Sequence, residues 1–395
     1  MITNPTAVFF VLATVVAVAI TLELRTKVFR ALGSALVGIL LGMLLSNTGI
    51  IPGESPAYAF LGGPAVSAGI TLILLSVDVR SVAKAGPKML AAFVIGGIGS
   101  ALGASLSALL LADAIGPETW KLAGQYTATY VGGGVNFAAV GAALDTSGGL
   151  FAAGIAADVT MTAIWMAICL TVPVIFAARP GRRDARVSRS ATRDSPSAAA
   201  EEPAEDAEES PSLHRMLYSS VGAIGLHDLS LMAAIVLGTL WVSDWLGAVL
   251  APIPAVLFLT TIALVLAQVP AVRAMNGTGV IGNYLVLIFL ASNGAMSVLA
   301  NIVVIGPPIV YFAALTVAVH GIVIFGVGRL VGLDLATLAV ASQANVGGPA
   351  SAMALATARG YTDQLLPGVA VGLLGYAAGN YLGFLVAALV RGMIA

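Results

Sequence analysis

Apolar stretches long enough to cross a hydrocarbon core, about 20 residues at 1.5 Å rise, recur along the chain in two sets. The first lies near 5–22, 31–49, 57–78, 89–112 and 149–177, the second near 228–247, 253–270, 280–300, 306–328 and 365–390. Between the fourth and fifth stretch of each set stands a weaker segment of small and polar residues broken by glycine, 117–145 and then 334–360. At an offset of 215 residues Val131-Gly132-Gly133-Gly134 falls on Val346-Gly347-Gly348-Pro349, Asn136 on Ser351 and Asp78 on Asn293. The pattern predicts an all-α polytopic membrane protein built as a repeat: residues 1–178 form the first transmembrane half, 179–215 a linker and 216–395 the second half. Internal repeats of this kind mark transporter scaffolds.

Whether the halves are parallel or inverted depends on whether the broken segments cross the membrane. Lys and Arg concentrate in cytoplasmic loops. If both segments are re-entrant hairpins, the cytoplasmic side collects Arg25, Lys27, Arg30, Arg80, Lys84, Lys88, the seven linker residues, Arg273, Arg329 and Arg359, leaving only Lys121 and Arg391 outside. If both cross, the split is 7 against 11. The hairpin reading wins 16 to 2, and 9 to 2 with the long linker discounted. It predicts two inverted five-span halves, each with a glycine-broken re-entrant hairpin, or a broken helix, before its last span, in the inner (plasma) membrane with the linker cytoplasmic.

Composition agrees. Hydrophobic residues make up 59% of the 395 and charged ones 9%, with a mean hydropathy of +1.00, so the bilayer is the expected solvent and partner. The linker holds 7 of the 18 Lys and Arg and 8 of the 19 Asp and Glu. It is too polar to bury a core and is expected to be a disordered tether. A net charge of -1 with no basic tract elsewhere gives no reason to expect a nucleic-acid partner. Cys169 is the only cysteine, which excludes an internal disulfide and a thiolate metal cage. The first stretch, Ala7 to Thr21, lacks a basic leader and a small-residue cleavage site and is expected to be a retained span.

Irregular backbone at membrane depth is tolerated only where it is buried in protein or lines a watery cavity. At each break one half-helix ends in free carbonyls and the next begins with free N–H groups, which suit a cation and a carboxylate respectively. The expected substrate-binding residues are Gln125, Thr129, Tyr130, Gly132, Gly133, Gly134 and Asn136 at the first break, and Gln343, Asn345, Gly347, Gly348 and Ser351 at the second. Close helix packing accounts for Gly38 with Gly42, Gly99 with Gly103, and the Gly375, Gly379, Gly383 series, but accounts poorly for bulky amides. Asp158, about nine residues or roughly 14 Å into the fifth span, is the candidate ion-coupling group, with Asp78 and its match Asn293 as secondary candidates. The alternative for Asp158 is a permanently protonated carboxyl bonded to a neighbour. His320 is intramembrane, and the choice lies between a relay and a packed neutral side chain.

The sequence carries no HExxH, CxxC, GxSxG or Walker motif, so no enzyme, no ATP and no cofactor are expected, only Na+ or H+ as coupling ion. The stretch GPETWKLAGQYTATYVGGGVNFAAVGAAL (Gly116 to Leu144), with LFAAGIAADVTMTAIWMA (Leu150 to Ala167) and the NVGGP of Asn345 to Pro349, resembles the signature region of the bacterial membrane family labelled domain of unknown function 819. More distantly, five spans per half with a glycine-rich loop before the fifth is similar to glutamate:sodium symporters and 2-hydroxycarboxylate transporters. The resemblance implies an ion-coupled carrier, commonly sodium-linked; Pro349 and the lack of an embedded Arg depart from a dicarboxylate site. The expected function is therefore ion-coupled transport of a small carboxylate-bearing solute, such as an amino acid, small peptide or organic acid. The alternatives are a sodium/proton antiporter and a non-transporting scaffold or channel, and a homodimer stays open.

Overall fold

The first two helices begin where the sequence supplies a side-chain cap. In the computed structural model, which describes residues 2–77, 85–177, 224–251, 253–297 and 299–394, α1 (Pro5–Arg25) starts on Asn4, whose side chain accepts from Ala7 N at 3.2 Å. Thr26 ends that helix in extended backbone and caps α2 (Lys27–Asn47) through Phe29 N at 3.2 Å. Such caps satisfy first-turn N–H groups that have no partner in the helix itself. Asp78 and the 179–215 linker lie outside the described residues.

The first half continues as α3 (Pro56–Leu75), α4 (Gly86–Ile115), α5 (Thr119–Gly132), α6 (Gly134–Ala143) and α7 (Gly148–Ala177). The second comprises α8 (Leu226–Val249), α9 (Ala255–Leu266), α10 (Thr278–Ala295), α11 (Leu299–Leu330), α12 (Leu335–Ala358) and α13 (Thr362–Ile394). Among the described residues 8 helices are long and apolar enough to cross a membrane, and the molecule is a polytopic α-helical membrane protein. Three spans depart from the simple pattern, the first being α2, which is broken at Gly33 (φ 75°, ψ 151°). Pro64, which lacks an N–H, opens a π turn over Leu61–Ala65 inside α3. The stretch expected at 253–270 is helical only over Ala255–Leu266, because Pro270 holds Val269 in extended backbone at φ -77°, ψ 123°.

Two pairs of helices, α4 with α11 and α3 with α10, lie against each other antiparallel. On α4, a Cβ added at Gly99 would meet Val323 Cβ at 2.9 Å and one at Gly103 would meet the Thr316 carbonyl oxygen at 2.5 Å, while Ser107 Oγ donates to Phe312 O at 3.2 Å. Contacts that move forward along α4 thus move backward along α11. The same holds for α3 and α10: Gly62 faces Phe289 and Gly69 faces Gly282. These small-residue seams let backbones approach where side chains would separate them.

The glycines of α13 form a bed for both broken segments. Gly383 lies against Ala128 and the Gly124 carbonyl, Gly379 against Asn136 and the Ala128 carbonyl, and Gly375 against Val131 and Gly132; Gly372 lies against Pro349 and Gly368 against Val340 and Ala352. An aromatic ladder fixes the first segment from its other side. Tyr126 stacks on Tyr130 and Phe312 with centroids 5.5 and 5.2 Å apart, and Phe137 packs edge-on against Tyr126 and Phe151 at 5.5 and 5.3 Å.

Candidate functional site

The break between α5 and α6 is set by Gly133, at φ 88°, ψ 174°, a conformation essentially restricted to glycine. The chain then folds back. Lys121 Nζ near the start of α5 donates to Asp145 O beyond the end of α6 at 2.6 Å, and Gln125 Nε2 donates to Thr146 Oγ1 at 2.8 Å, contacts that a continuous helix would hold far apart. Lys121 also pairs with Glu118 at 2.5 Å. Burial pushes the Glu118 carboxyl up, but bonds from Lys121 and Ser147 more than offset this and hold it below its usual range. The mouth of the fold is thereby fastened.

The second break is built the same way. Gly348 takes φ 76°, ψ -171° within α12, 215 positions after Gly133. Val340 before it and Ala352 after it both reach Gly368, so this segment also doubles back. Pro349 follows as the first residue of the returning half, a position where a missing N–H costs nothing.

The two breaks meet. A Cβ added at Gly133 would lie 3.6 Å from Gly348 Cα, and the Tyr376 ring of α13 stands 3.5 Å from that point and 3.6 Å from the equivalent one on Gly348. Gly132 and Gly134 flank the first break, with Gly132 pressed on the Gly375 carbonyl and open space beside Gly134. Gly347, next to the second, faces Ser351 and Gln343. No side chain caps α6; Asn136 N donates back to Gly133 O at 3.0 Å, and the N–H groups of Gly134 and Val135 ahead of it have no side-chain cap.

The polar side chains sort into two groups. Beside the first break Asp158 of α7 is buried, its Oδ2 accepting from Thr129 Oγ1 at 3.3 Å and its Oδ1 without a partner. The buried Tyr130 hydroxyl lies close to this carboxyl without closing a hydrogen bond of ordinary geometry. Asp158 has no basic partner among the described residues. Beside the second break Gln343 and Asn345 are fully buried, and both the nitrogen and the oxygen of each amide are unpartnered. Four such atoms on one short stretch of chain are unusual, because buried polar groups are ordinarily bonded.

Three expected site residues take up other positions. Asn136 Nδ2 donates to Gly375 O at 3.4 Å and Tyr376 O at 3.2 Å, anchoring α6 to α13. Gln125 serves the mouth of the first fold, two turns from the break. Asn293 Nδ2 bonds within α10 to Phe289 O at 3.1 Å, and Ser297, bonded to Asn293 O, also donates to Gly148 O at 2.9 Å, which places Asn293 near the end of its helix, beside the start of α7.

Sequence reasoning missed the polar chain around His320. Its ring is fully buried, with Nδ1 2.9 Å from Gly96 O and 3.0 Å from Ser100 Oγ, and Nε2 2.9 Å from Ser342 Oγ, which in turn accepts from Trp165 Nε1 at 2.9 Å. Ser100 and Ser342 are small residues on apolar helices, and nothing in their spacing announces a shared histidine. A cavity of about 420 Å³ lies between the π turn of α3, the end of α6, and α8 and α9; its lining includes Ser67, Ala139, Ala143, Ser243 and Asp244.

Comparison with known proteins places the chain. The Bacillus subtilis (strain 168) protein described as "Uncharacterized membrane protein YjcL" is 29% identical over 367 residues, which cover 93% of this chain and 92% of that relative. A family model described as "Protein of unknown function (DUF819)" matches residues 9–393. Since the match covers nearly the whole chain, both broken segments and their meeting point included, the protein belongs to the DUF819 family.

Proposed function

We propose that this protein is a secondary transporter, driven by Na+ or H+, of a small carboxylate-bearing solute such as an amino acid, small peptide or organic acid. The observation that carries the reading is the approach of Gly133 to Gly348 under the Tyr376 ring. Paired half-helix ends at depth present carbonyls and N–H groups to one small volume, which equips it for a cation and an anion together.

The two halves are read as an inverted repeat and the broken segments as re-entrant hairpins entering from opposite faces. Three observations support this: the antiparallel seams between corresponding helices, the doubling back of each segment, and the placing of Arg329 and Arg359 around the second mouth but Lys121 at the first. In this arrangement the solute carboxylate rests on the N-terminus of α6. Pro349 removes the equivalent donor from the second hairpin, which offers the Gln343 and Asn345 amides and Ser351 for the remaining polar groups of the solute. Asp158, a buried carboxyl with one free oxygen and no basic partner, takes the coupling cation or proton, since an uncompensated charge at this depth is costly. Rocking of one half against the other around this point gives access to each side in turn.

The test is thermal stabilisation of the purified protein by a panel of carboxylates with and without sodium, followed by uptake into proteoliposomes. We expect a carboxylate-bearing solute to stabilise the protein and its uptake to follow an imposed ion gradient. Proton-driven cation flux with no solute present, and no stabilisation by any carboxylate, would establish the antiporter instead. Uptake at the unmodified level in Ser351→Ala and Asp158→Asn alike would overturn the site.

A further inference from the structure

We propose that His320 is a positioning residue that ties the arm of the second broken segment to the end of the first through one directed chain of buried hydrogen bonds. The directions follow from the partners. Gly96 O, 2.9 Å from Nδ1, can only accept, so Nδ1 carries the proton; a bare nitrogen there would set two lone pairs against each other. Trp165 Nε1 can only donate, so Ser342 Oγ accepts from it at 2.9 Å and turns its own proton to His320 Nε2 at 2.9 Å. On the other side Ser100 Oγ donates to Tyr130 O at 2.6 Å, which leaves its lone pair free to share the Nδ1 proton at 3.0 Å. Every donor in the chain finds an acceptor with the imidazole neutral. A second ring proton would place two strong donors, Trp165 Nε1 and His320 Nε2, on Ser342 and leave its own proton only the weak acceptor Cys169 Sγ, 3.8 Å away.

The far end of the chain gives it a purpose. Tyr130 is where α5 leaves helical geometry, at φ -86°, ψ 15°, and in an unbroken helix its carbonyl would bond the N–H of Gly134, on the other side of the break. Ser100 takes that orphan carbonyl. Ser342 sits in the arm leading to Gly348, and Trp165 and Cys169 of α7 hold it from the far side, Cys169 Sγ at 3.8 Å. Asn345, next along the arm, lies against Gly96 near His320 Cε1. Displacing the second arm therefore pulls on Ser342, His320 and Ser100, and so on the carbonyl at the first break. The relevance of this to transport rests on the reading above; the link itself rests on geometry alone, and the experiment reads the link.

Two measurements decide it. With His214→Asn and His227→Asn removing the other histidines, nitrogen-15 spectra of histidine-labelled protein in liposomes should show one neutral ring protonated at Nδ1. A ring protonated at Nε2, or a cationic one, overturns the chain. Separately, thermal unfolding of Ser100→Ala, Ser342→Ala and the double variant forms a cycle. The double variant should lose clearly less than the sum of the two single losses, and in a His320→Phe background the losses should add. Simple additivity with His320 in place overturns the proposal. Should His320→Phe fail to fold, the spectra and the cycle in the unmodified background still decide it, whether or not any solute is transported.

Discussion

Gly133 and Gly348 face each other at contact distance, a Cβ added at Gly133 falling 3.6 Å from Gly348 Cα. Each is the glycine at which its broken segment takes a positive φ, and the two lie 215 positions apart in the chain. Gly133→Ala and Gly348→Ala should therefore each lower stability by about 1–3 kcal/mol of backbone strain. Gly238→Ala, in α8 with open space around it, should be neutral or slightly stabilising. Thermal unfolding compares them, and a Gly133→Ala protein as stable as Gly238→Ala would mean that the break relaxes into ordinary helix.

The bed under the two breaks makes a second demand. Gly375 and Gly132 touch backbone to backbone, and a methyl group at Gly375 falls on the Val131 carbonyl. Gly375→Ala should thus be destabilising by about 1–3 kcal/mol, the usual cost of overpacking where nothing flexible can yield. Gly392→Ala, on the same helix with nothing nearby, serves as the reference. Equal unfolding midpoints for the two variants would show that α13 shifts freely away from α5.

How far the sequence reaches can be judged from these residues. Gly133 and Gly348 were legible as break points because a run of glycine between apolar stretches has few other uses at depth, and the 215-residue offset paired them. Burial of Asp158 was legible from its distance into an apolar span. The Gly375 series looked like ordinary helix packing, because a glycine face does not reveal what lies on it; only the fold shows that it carries both breaks. Asn136 looked like a ligand group for the same reason, its partners being backbone carbonyls 239 and 240 positions away. The π turn at Pro64 and the shortness of α9 escaped because mean hydropathy does not register a lost backbone hydrogen bond.

Asn136 gives a test that separates anchoring from ligand binding. Its amide nitrogen donates to the carbonyls of Gly375 and Tyr376. Asn136→Ala removes the donor, at about 1–3 kcal/mol for buried acceptors left behind. Asn136→Asp keeps the shape but turns an acceptor toward two acceptors, and should be the less stable of the two at neutral pH. Finding Asn136→Asp at least as stable as Asn136→Ala, by thermal unfolding in the absence of any solute, would remove the anchoring role.

At the mouth of the first fold, Glu118 is partly buried yet held below its ordinary carboxyl range, because Lys121 and Ser147 outweigh the effect of burial. A lowered folded-state value contributes stability that is present above the ordinary value of 4.5 and lost as pH falls through the folded one. Unfolding midpoints should therefore fall between neutral and acidic pH in the unmodified protein, and fall less in Glu118→Gln. The effect is small, since the pair is partly exposed and such pairs are worth at most about 1 kcal/mol. Identical pH profiles for the two proteins would show that Lys121 and Ser147 do not favour the charged form.

Asp158 sets the sharpest requirement. Its carboxyl is buried beside Thr129 with one oxygen unpartnered and no base among the described residues to neutralise it. A carboxylate so placed is either protonated or bound to a cation, and both states tie stability to the medium. Asp158→Asn is nearly isosteric, keeps an oxygen for the Thr129 hydroxyl and cannot carry charge. The variant should fold as well as the unmodified protein or better, while the medium loses its grip. An ion present at a hundred times its dissociation constant stabilises by about 2.7 kcal/mol, and that increment should vanish in Asp158→Asn. The measurement is the unfolding midpoint in sodium against choline chloride at equal ionic strength, repeated across pH. If Asp158→Asn keeps the full sodium and pH response of the unmodified protein, that response arises elsewhere, and the proposed role of Asp158 falls.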